Sequence, residues 1–306
     1  MQTFELILSR AETYHVFFRL SVQPSGDETS STTHCELWLP LWCHFSLRSS
    51  ACAQESPSMP EESPDLPGWQ QLQQTVREFK SSLHVSEQRA REIEQTTREQ
   101  RHSPEWYSVR RYRLPASLFG EIYHRKPDTR PDALVLWLLK PRQFTTPAVE
   151  WGVKNEALAI QAYIQHQQCN GHDGLTVCKV GFHVSRSHPF LGASPDGGVY
   201  DPSCEQPYGF IEVKCPYSRR NRTPAEACAD SKFFCTLESG QVKLRQSSNY
   251  FCQVQGQMAI GERLWCHFIV YTPKGISIER ITFDPKYWDN VLTKLTEFMI
   301  IAWLPK

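Results

Sequence analysis

Residues 192–216 constrain this chain more than any other stretch, reading GASPDGGVYD, a short spacer and then GFIEVKCP. The Pro and Gly residues around Asp196 dictate a tight turn. Side chains alternate along a strand, so Phe210, Glu212 and Lys214 share one face while Ile211 and Val213 point to the other. Asp196, Glu212 and Lys214 are therefore expected to converge at the end of an apolar strand. Such charges are costly beside a core unless something multivalent compensates them. Hard carboxylate oxygens suit Mg²⁺ or Mn²⁺, and a neighbouring lysine orients or helps deprotonate a metal-bound water. That is the chemistry of phosphodiester hydrolysis.

Composition narrows the setting. The formal charge is zero, so any surface for a polyanion must be local. The 11 cysteines form no CxxC pair and no regular framework, which suits a reducing, intracellular compartment, nuclear or cytoplasmic, better than secretion. Residues 1–21 carry Glu5, Arg10 and Glu12 within their apolar run, and no other stretch reaches membrane-spanning length. Cys35, Cys43, Cys52, His34 and His44 match no standard zinc spacing and read as scattered residues.

Residues 1–68 show no sustained helical or strand period and end in a Pro-, Ser- and Glu-rich run, so weak order is expected there. Residues 69–102 form a helical extension, as one long helix or two joined ones, with Leu72, Val76, Phe79 and Leu83 at helical spacing. A local basic patch follows. Arg110, Arg111 and Arg113 lie beside Trp106, Tyr107 and Tyr112, a mixture that grips phosphates and stacks on bases, or else forms an ordinary charged helix flank. Pro115 reads as the entry to a helix over 115–125.

The spacing predicts a helix over 146–168, with Val149, Val153, Glu156, Ile160 and Tyr163 on one face. An inward carboxylate at Glu156 is salt-bridged, protonated or metal-bound. Residues 175–185 read as a strand, and Arg219, Arg220 and Arg222 form a second basic cluster directly after Lys214. A helix over 247–260 is capped by Ser247 or Ser248 and stops at Gly261. Tyr250, Gln253 and Gln257 share one of its faces, which reads as a solvent-facing polar side or as a row of groups for a phosphate or a water. A hairpin over 264–283 and an amphipathic helix over 287–302 complete the scaffold.

Taken together, SPDG, EVKCP, TPAVEWGVKNE, RYRLPAS and QVQGQ, in that family's order over roughly residues 106–284, resemble the lambda-exonuclease-like, YqaJ viral recombinase branch of the PD-(D/E)xK nucleases. The resemblance implies a three-layer α/β domain over 103–306, with a central mixed sheet. It implies Glu156, Asp196, Glu212 and the carbonyl of Val213 as ligands of Mg²⁺ or Mn²⁺, with Lys214 positioning the attacking water and Gln253 as an active-site glutamine. Arg110 and Ser117 resemble the pair that binds the terminal phosphate of a DNA strand, and Arg111, Arg219 and Tyr250 stand as further contacts to DNA. Pro115 departs from the family, which often has threonine there.

The function expected from these residues is metal-dependent hydrolysis of linear double-stranded DNA, exonucleolytic, in recombination, repair or mobile-element processing. The alternative is a DNA-binding or recombination module that kept the fold without catalysis. Relatives form a ring-shaped oligomer, so a homo-oligomer and a recombination partner protein join DNA as candidate partners; a membrane does not.

Overall fold

The computed structural model describes residues 3–8, 15–21, 34–40, 78, 81–126, 129, 131–139 and 145–302. The chain divides into two units, residues 1–81 with 303–306, and residues 82–302. In the first unit, β1 (Thr3–Leu8), β2 (His15–Ser21) and β3 (His34–Pro40) pair as an antiparallel meander. The sequence reading assigned no strand period here. The apolar residues of β2, Val16, Phe17 and Phe18, are contiguous rather than alternating, which hides a strand from a period-2 search. Cys43, His44 and Cys52 lie outside the described residues.

The second unit is built on a five-stranded mixed sheet. Its strands are β5 (Thr176–Cys178), β8 (Gly197–Tyr200), β9 (Tyr208–Lys214), β12 (Trp265–Thr272) and β13 (Gly275–Thr282), in the order β13-β12-β9-β8-β5. Strand β9 runs parallel to β12 and antiparallel to β8. Its alternation sorts the two cores. Ile211 and Val213 pack with Ala159 and Tyr163 of α5 (Pro147–Cys169), and Phe210 packs with Val254 and Met258 of α7 (Asn249–Gly261). A helix on each face of a mixed sheet gives the three layers expected.

Several elements differ from the sequence reading. Residues 175–185 make two strands, β5 and β6 (His183–Val184), in different sheets. Between them the Gly181 and Phe182 N–H groups donate to Glu94 Oε1 and Thr97 Oγ1, at 3.1 and 2.7 Å, rather than to a strand. Those partners belong to α1 (Glu87–Thr96) and its cap, so this part of the expected extension is built into the second unit, whereas Leu72, Val76 and Phe79 lie outside the described residues. Its Ile93 packs on Phe182 and Val184.

Pro115 enters no long helix. Leu114 and Pro115 form β4, parallel to β7 (Leu191–Ala193), followed by a 3₁₀ turn at Ala116–Leu118 and the short α3 (Phe119–Tyr123). Helix α4 (Asp132–Leu139) is an apolar run without a helical period. In α5, Val149 and Val153 are exposed and Asn155, Ala159, Tyr163 and Gln167 are buried, so the buried face is rotated from the one read in the sequence. Helix α7 ends at Gly261, but the left-handed residue is Glu262, at φ 54°. Gly261 serves close packing instead, since a Cβ there would stand 2.4 Å from the Phe210 ring. Helix α8 (Pro285–Ala302) closes the unit, with Val291, Leu295, Phe298 and Met299 buried. Among the described residues no helix is long and apolar enough to cross a membrane, and no cysteine of residues 82–302 is in a disulfide.

The seam between α3 and α7 admits no extra methyl group. A Cβ at Gly256 would lie 2.3 Å from the Phe119 ring, and Phe119 is fully buried. Gly256→Ala is expected to lower stability by about 1–3 kcal/mol, the usual penalty of overpacking, read as a reduced urea midpoint with unchanged slope.

Candidate active site

The site is assembled around Glu212, which is 1% exposed although it is a carboxylate in mid-strand. Strand alternation turns it toward α7 rather than α5. There Gln253 Nε2 donates to Oε1 and Gln257 Nε2 to Oε2, both at 2.6 Å. The four-residue spacing of the two amides puts them one turn apart on one helix face. Lys214, on the same face of β9, donates from Nζ to Glu212 Oε1 at 2.5 Å. The carboxylate is thus held by two neutral donors and one ammonium, which is how a buried charge is made tolerable.

Asp196 enters from the turn before β8. Its N–H donates to Ile211 O at 3.1 Å, and its Oδ2 accepts the N–H of Val213 at 2.7 Å. The turn is thereby stitched to the end of β9, next to Glu212. Removal from water and the charge on Glu212 push the Asp196 carboxyl well above its ordinary range, against the pull of Lys214. The Glu156 carboxyl is raised too: burial is the chief cause, Arg101 and Lys214 pull against it, and Glu212 adds to the rise. Burial disfavours the Lys214 ammonium, but Glu212 and Asp196 outweigh it and raise its pKa. Lys214 Nζ also stands 4.6 Å from the centre of the Tyr250 ring, a cation–π contact.

A recess of about 80 Å³ adjoins this cluster, lined by Gln100, Trp106, Arg110, Pro115, Ala116, Ser117, Ser194, Gln253 and Gln257. Arg110 Nη2 reaches Ser117 Oγ at 3.3 Å, and its guanidinium lies 4.2 Å from the centre of the Trp106 ring. Burial lowers the Arg110 pKa to about 10, which leaves it a cation at neutral pH. Trp106 Nε1 donates to Ser194 Oγ at 2.9 Å, tying this wall to the Asp196 turn. The buried Gln257 Oε1 has no partner. The two glutamines therefore belong at once to the carboxylate cluster and to the recess, which corrects the reading of their face as solvent-exposed. Ser194 was not singled out in the sequence, although the SPD motif contains it, and Gln257 was read only as part of the polar face of α7. The middle glutamine, Gln255, faces the scaffold, donating to Thr282 O and accepting from Asp284 N.

Other sequence candidates fall differently. Arg113 is buried and structural, donating to the carbonyls of Leu83, Val109 and Pro189. Arg111 is exposed over Tyr112, its guanidinium 5.5 Å from the ring centre. Arg219 is engaged with Asp230. Arg220 lies over the Tyr217 ring at 4.2 Å.

A mixed sheet between helices, with a buried carboxylate–lysine cluster at one strand end and an arginine–serine recess beside it, defines a class of α/β domain. Residues 105–263, just over half of the chain, match the family model of the YqaJ-like viral recombinase domain, and the chain belongs to that family. The fold is shared with LHK-Exo, an alkaline exonuclease from Laribacter hongkongensis, in its complex with dAMP: 23% identity, 65% of this chain and 92% of that one covered, TM-score 0.50. The shutoff and exonuclease protein from Kaposi's sarcoma-associated herpesvirus is also similar, at 12% identity, 69% and 71% coverage and TM-score 0.42. No curated protein matches the chain.

The raised Asp196 carboxyl has a consequence for stability. A carboxyl that binds its proton more tightly when folded adds stability in full below its unfolded pKa, about 3.9, and loses it as pH rises through the folded value. Asp196→Asn keeps an acceptor for Val213 N and removes the charge. In chelator at neutral pH it is expected to raise the melting temperature on the order of 2–4 °C, the shift that about 1 kcal/mol produces in a domain of this size. The gain should vanish as pH falls below the unfolded carboxylate range; a gain that grew toward acid pH would contradict the assignment.

Proposed function

We propose that this chain is a metal-dependent deoxyribonuclease, an exonuclease that removes nucleotides from the ends of linear duplex DNA. The observation that carries this reading is the adjacency of two parts: the Arg110–Ser117 recess and the Glu212–Lys214 cluster share Gln253 and Gln257 as a common wall. A strand whose terminal phosphate enters the recess would present its backbone to the carboxylates. The family membership and the exonucleases of like fold support the same reading.

Glu156, Asp196 and Glu212 are hard oxygen donors, the Val213 carbonyl on the same strand is a further candidate ligand, and the charge on Glu212 adds to the rise that burial imposes on the Asp196 and Glu156 carboxyls. They fit Mg²⁺ or Mn²⁺, which supplies Lewis-acid charge at the scissile phosphate when bound. Lys214, held between Glu212 and Tyr250 as an ammonium, donates a hydrogen bond to the attacking water or a phosphate oxygen. Gln253 and Gln257 fix the Glu212 carboxylate so that its position does not relax when substrate arrives. Arg110 and Ser117 hold the terminal phosphate, Trp106 confines the guanidinium, and Arg111, exposed over Tyr112, is a further contact for the DNA backbone, whereas Arg219 would have to leave Asp230 to make one. A role in recombination, repair or mobile-element processing follows from end resection.

The test is degradation of linear duplex DNA by the purified full chain with Mg²⁺. Lys214→Ala is expected to lower turnover by about 10²–10⁴-fold, the range for a positioned proton-handling group, and Asp196→Ala to abolish it. Arg110→Ala should erase a preference for phosphorylated over dephosphorylated ends while leaving residual turnover. Equal degradation by all variants would refute the site. Binding without degradation by the unmodified chain on any DNA would favour the non-catalytic module.

A further inference from the structure

At the opposite end of β8 from Asp196, three side chains of different chemistry converge, and the activity proposed above uses none of them. The ligand atoms of His172, Asp201 and Cys204 all lie within 4.8 Å of one another. Two ordered turns bring them together. His172 follows α5 in a turn where its N–H donates to Gln167 O and Gly171 takes φ +89°. Asp201 and Cys204 bracket a turn closed by Cys204 N donating to Asp201 O at 3.2 Å. The donors are thus set by backbone, not by floppy surface chains.

The hydrogen bonds are divided between the two carboxylate oxygens of Asp201, which is fully buried. Oδ1 accepts the N–H and O–H of Ser203, at 3.1 and 2.6 Å. Oδ2 faces His172 Nδ1 at 2.7 Å and Cys204 Sγ at 3.1 Å. His172 Nδ1 also lies 2.9 Å from Ser203 Oγ, and Arg280 Nη1 donates to Cys204 Sγ at 3.4 Å. One oxygen is therefore oriented by donors that would remain as outer partners, whereas the other meets only a ring nitrogen and a thiol. Both of these become ligands once their hydrogens are elsewhere.

We propose that His172 Nδ1, Asp201 Oδ2 and Cys204 Sγ form a zinc site that clamps the β8–β9 turn to the end of α5, with water as a fourth ligand. Nitrogen, oxygen and thiolate together suit Zn²⁺ and not the Mg²⁺ of the carboxylate cluster. Ligands on a tetrahedral zinc stand about 3.3–3.7 Å apart, from bond lengths of about 2.0–2.3 Å. The Nδ1–Oδ2 and Sγ–Oδ2 pairs, at 2.7 and 3.1 Å, would open by roughly half an ångström to admit the ion, and Nδ1 and Sγ already lie within 4.8 Å of each other. On binding, Cys204 forms the S–Zn bond and releases its thiol proton to solvent. His172 binds through Nδ1, whose hydrogen passes to solvent, while Nε2 carries the ring's remaining hydrogen on a side chain 32% exposed. Arg280 continues to donate to the thiolate.

Titration of the full chain with Co²⁺, in excess Mg²⁺ to fill the carboxylate cluster, reads this site directly through thiolate-to-cobalt charge-transfer absorption. One equivalent of the band is expected, displaced by one equivalent of Zn²⁺. Cys204→Ser keeps a hydroxyl donor for Asp201 and so preserves the turn; it should abolish the band and weaken zinc binding by at least about 100-fold, more than loss of an outer partner costs. His172→Asn should weaken zinc binding comparably, and Cys215→Ser, beside the carboxylates, should leave the band intact. No band in the unmodified chain, or a band that survives Cys204→Ser in a variant with unchanged circular dichroism, would overturn the proposal.

Discussion

The domain depends on burying the carboxylate of Glu212 in the middle of its central sheet. A carboxylate in such a place is tolerated only if both of its oxygens find donors. Gln253, Gln257 and Lys214 supply those donors from two elements. Because they lie on α7 and β9, the requirement also fixes how that helix lies over the sheet. Packing and chemistry are thus solved by the same contacts: Val254 and Met258 bury the helix, and the glutamines on its neighbouring face register it.

The same arrangement stores electrostatic tension. Asp196 and Glu156 are buried near Glu212, and their carboxyls are raised chiefly by that burial, with the charge on Glu212 adding to the rise and Lys214 pulling against it. A fold selected for stability alone would remove one of these charges, whereas the phosphodiester chemistry proposed for this site needs them. Functional sites are where such departures from local stability collect. The recess beside the cluster follows a like logic. Arg110 gives up hydration to sit against Trp106 and Ser117, and remains a cation available to a phosphate.

The strand carrying Glu212 and Lys214 was legible because period-2 alternation around apolar Ile211 and Val213 fixes which residues share a face. The cap of α7 at Ser248 was legible for a similarly local reason: a side-chain oxygen is needed where the first helical N–H groups lack partners. Contacts between distant segments were not. Arg110 and Arg113 are alike in sequence, yet one faces a recess and the other is consumed by three backbone carbonyls. The polar face of α7 read as solvated, because a row of amides looks the same whether it meets water or a buried carboxylate.

By itself the sequence determined the local chemistry: which strand carries the acid and the lysine, where the Asp196 turn must fall, and which helices flank them. Only the tertiary structure decided what those groups touch. Glu212 lies 41 and 45 residues before its two glutamines, and the Gln100 wall of the recess lies 95 residues before Pro195, which it contacts. Pairings over such separations are set by which surfaces the whole chain can bury together, and no local period records them.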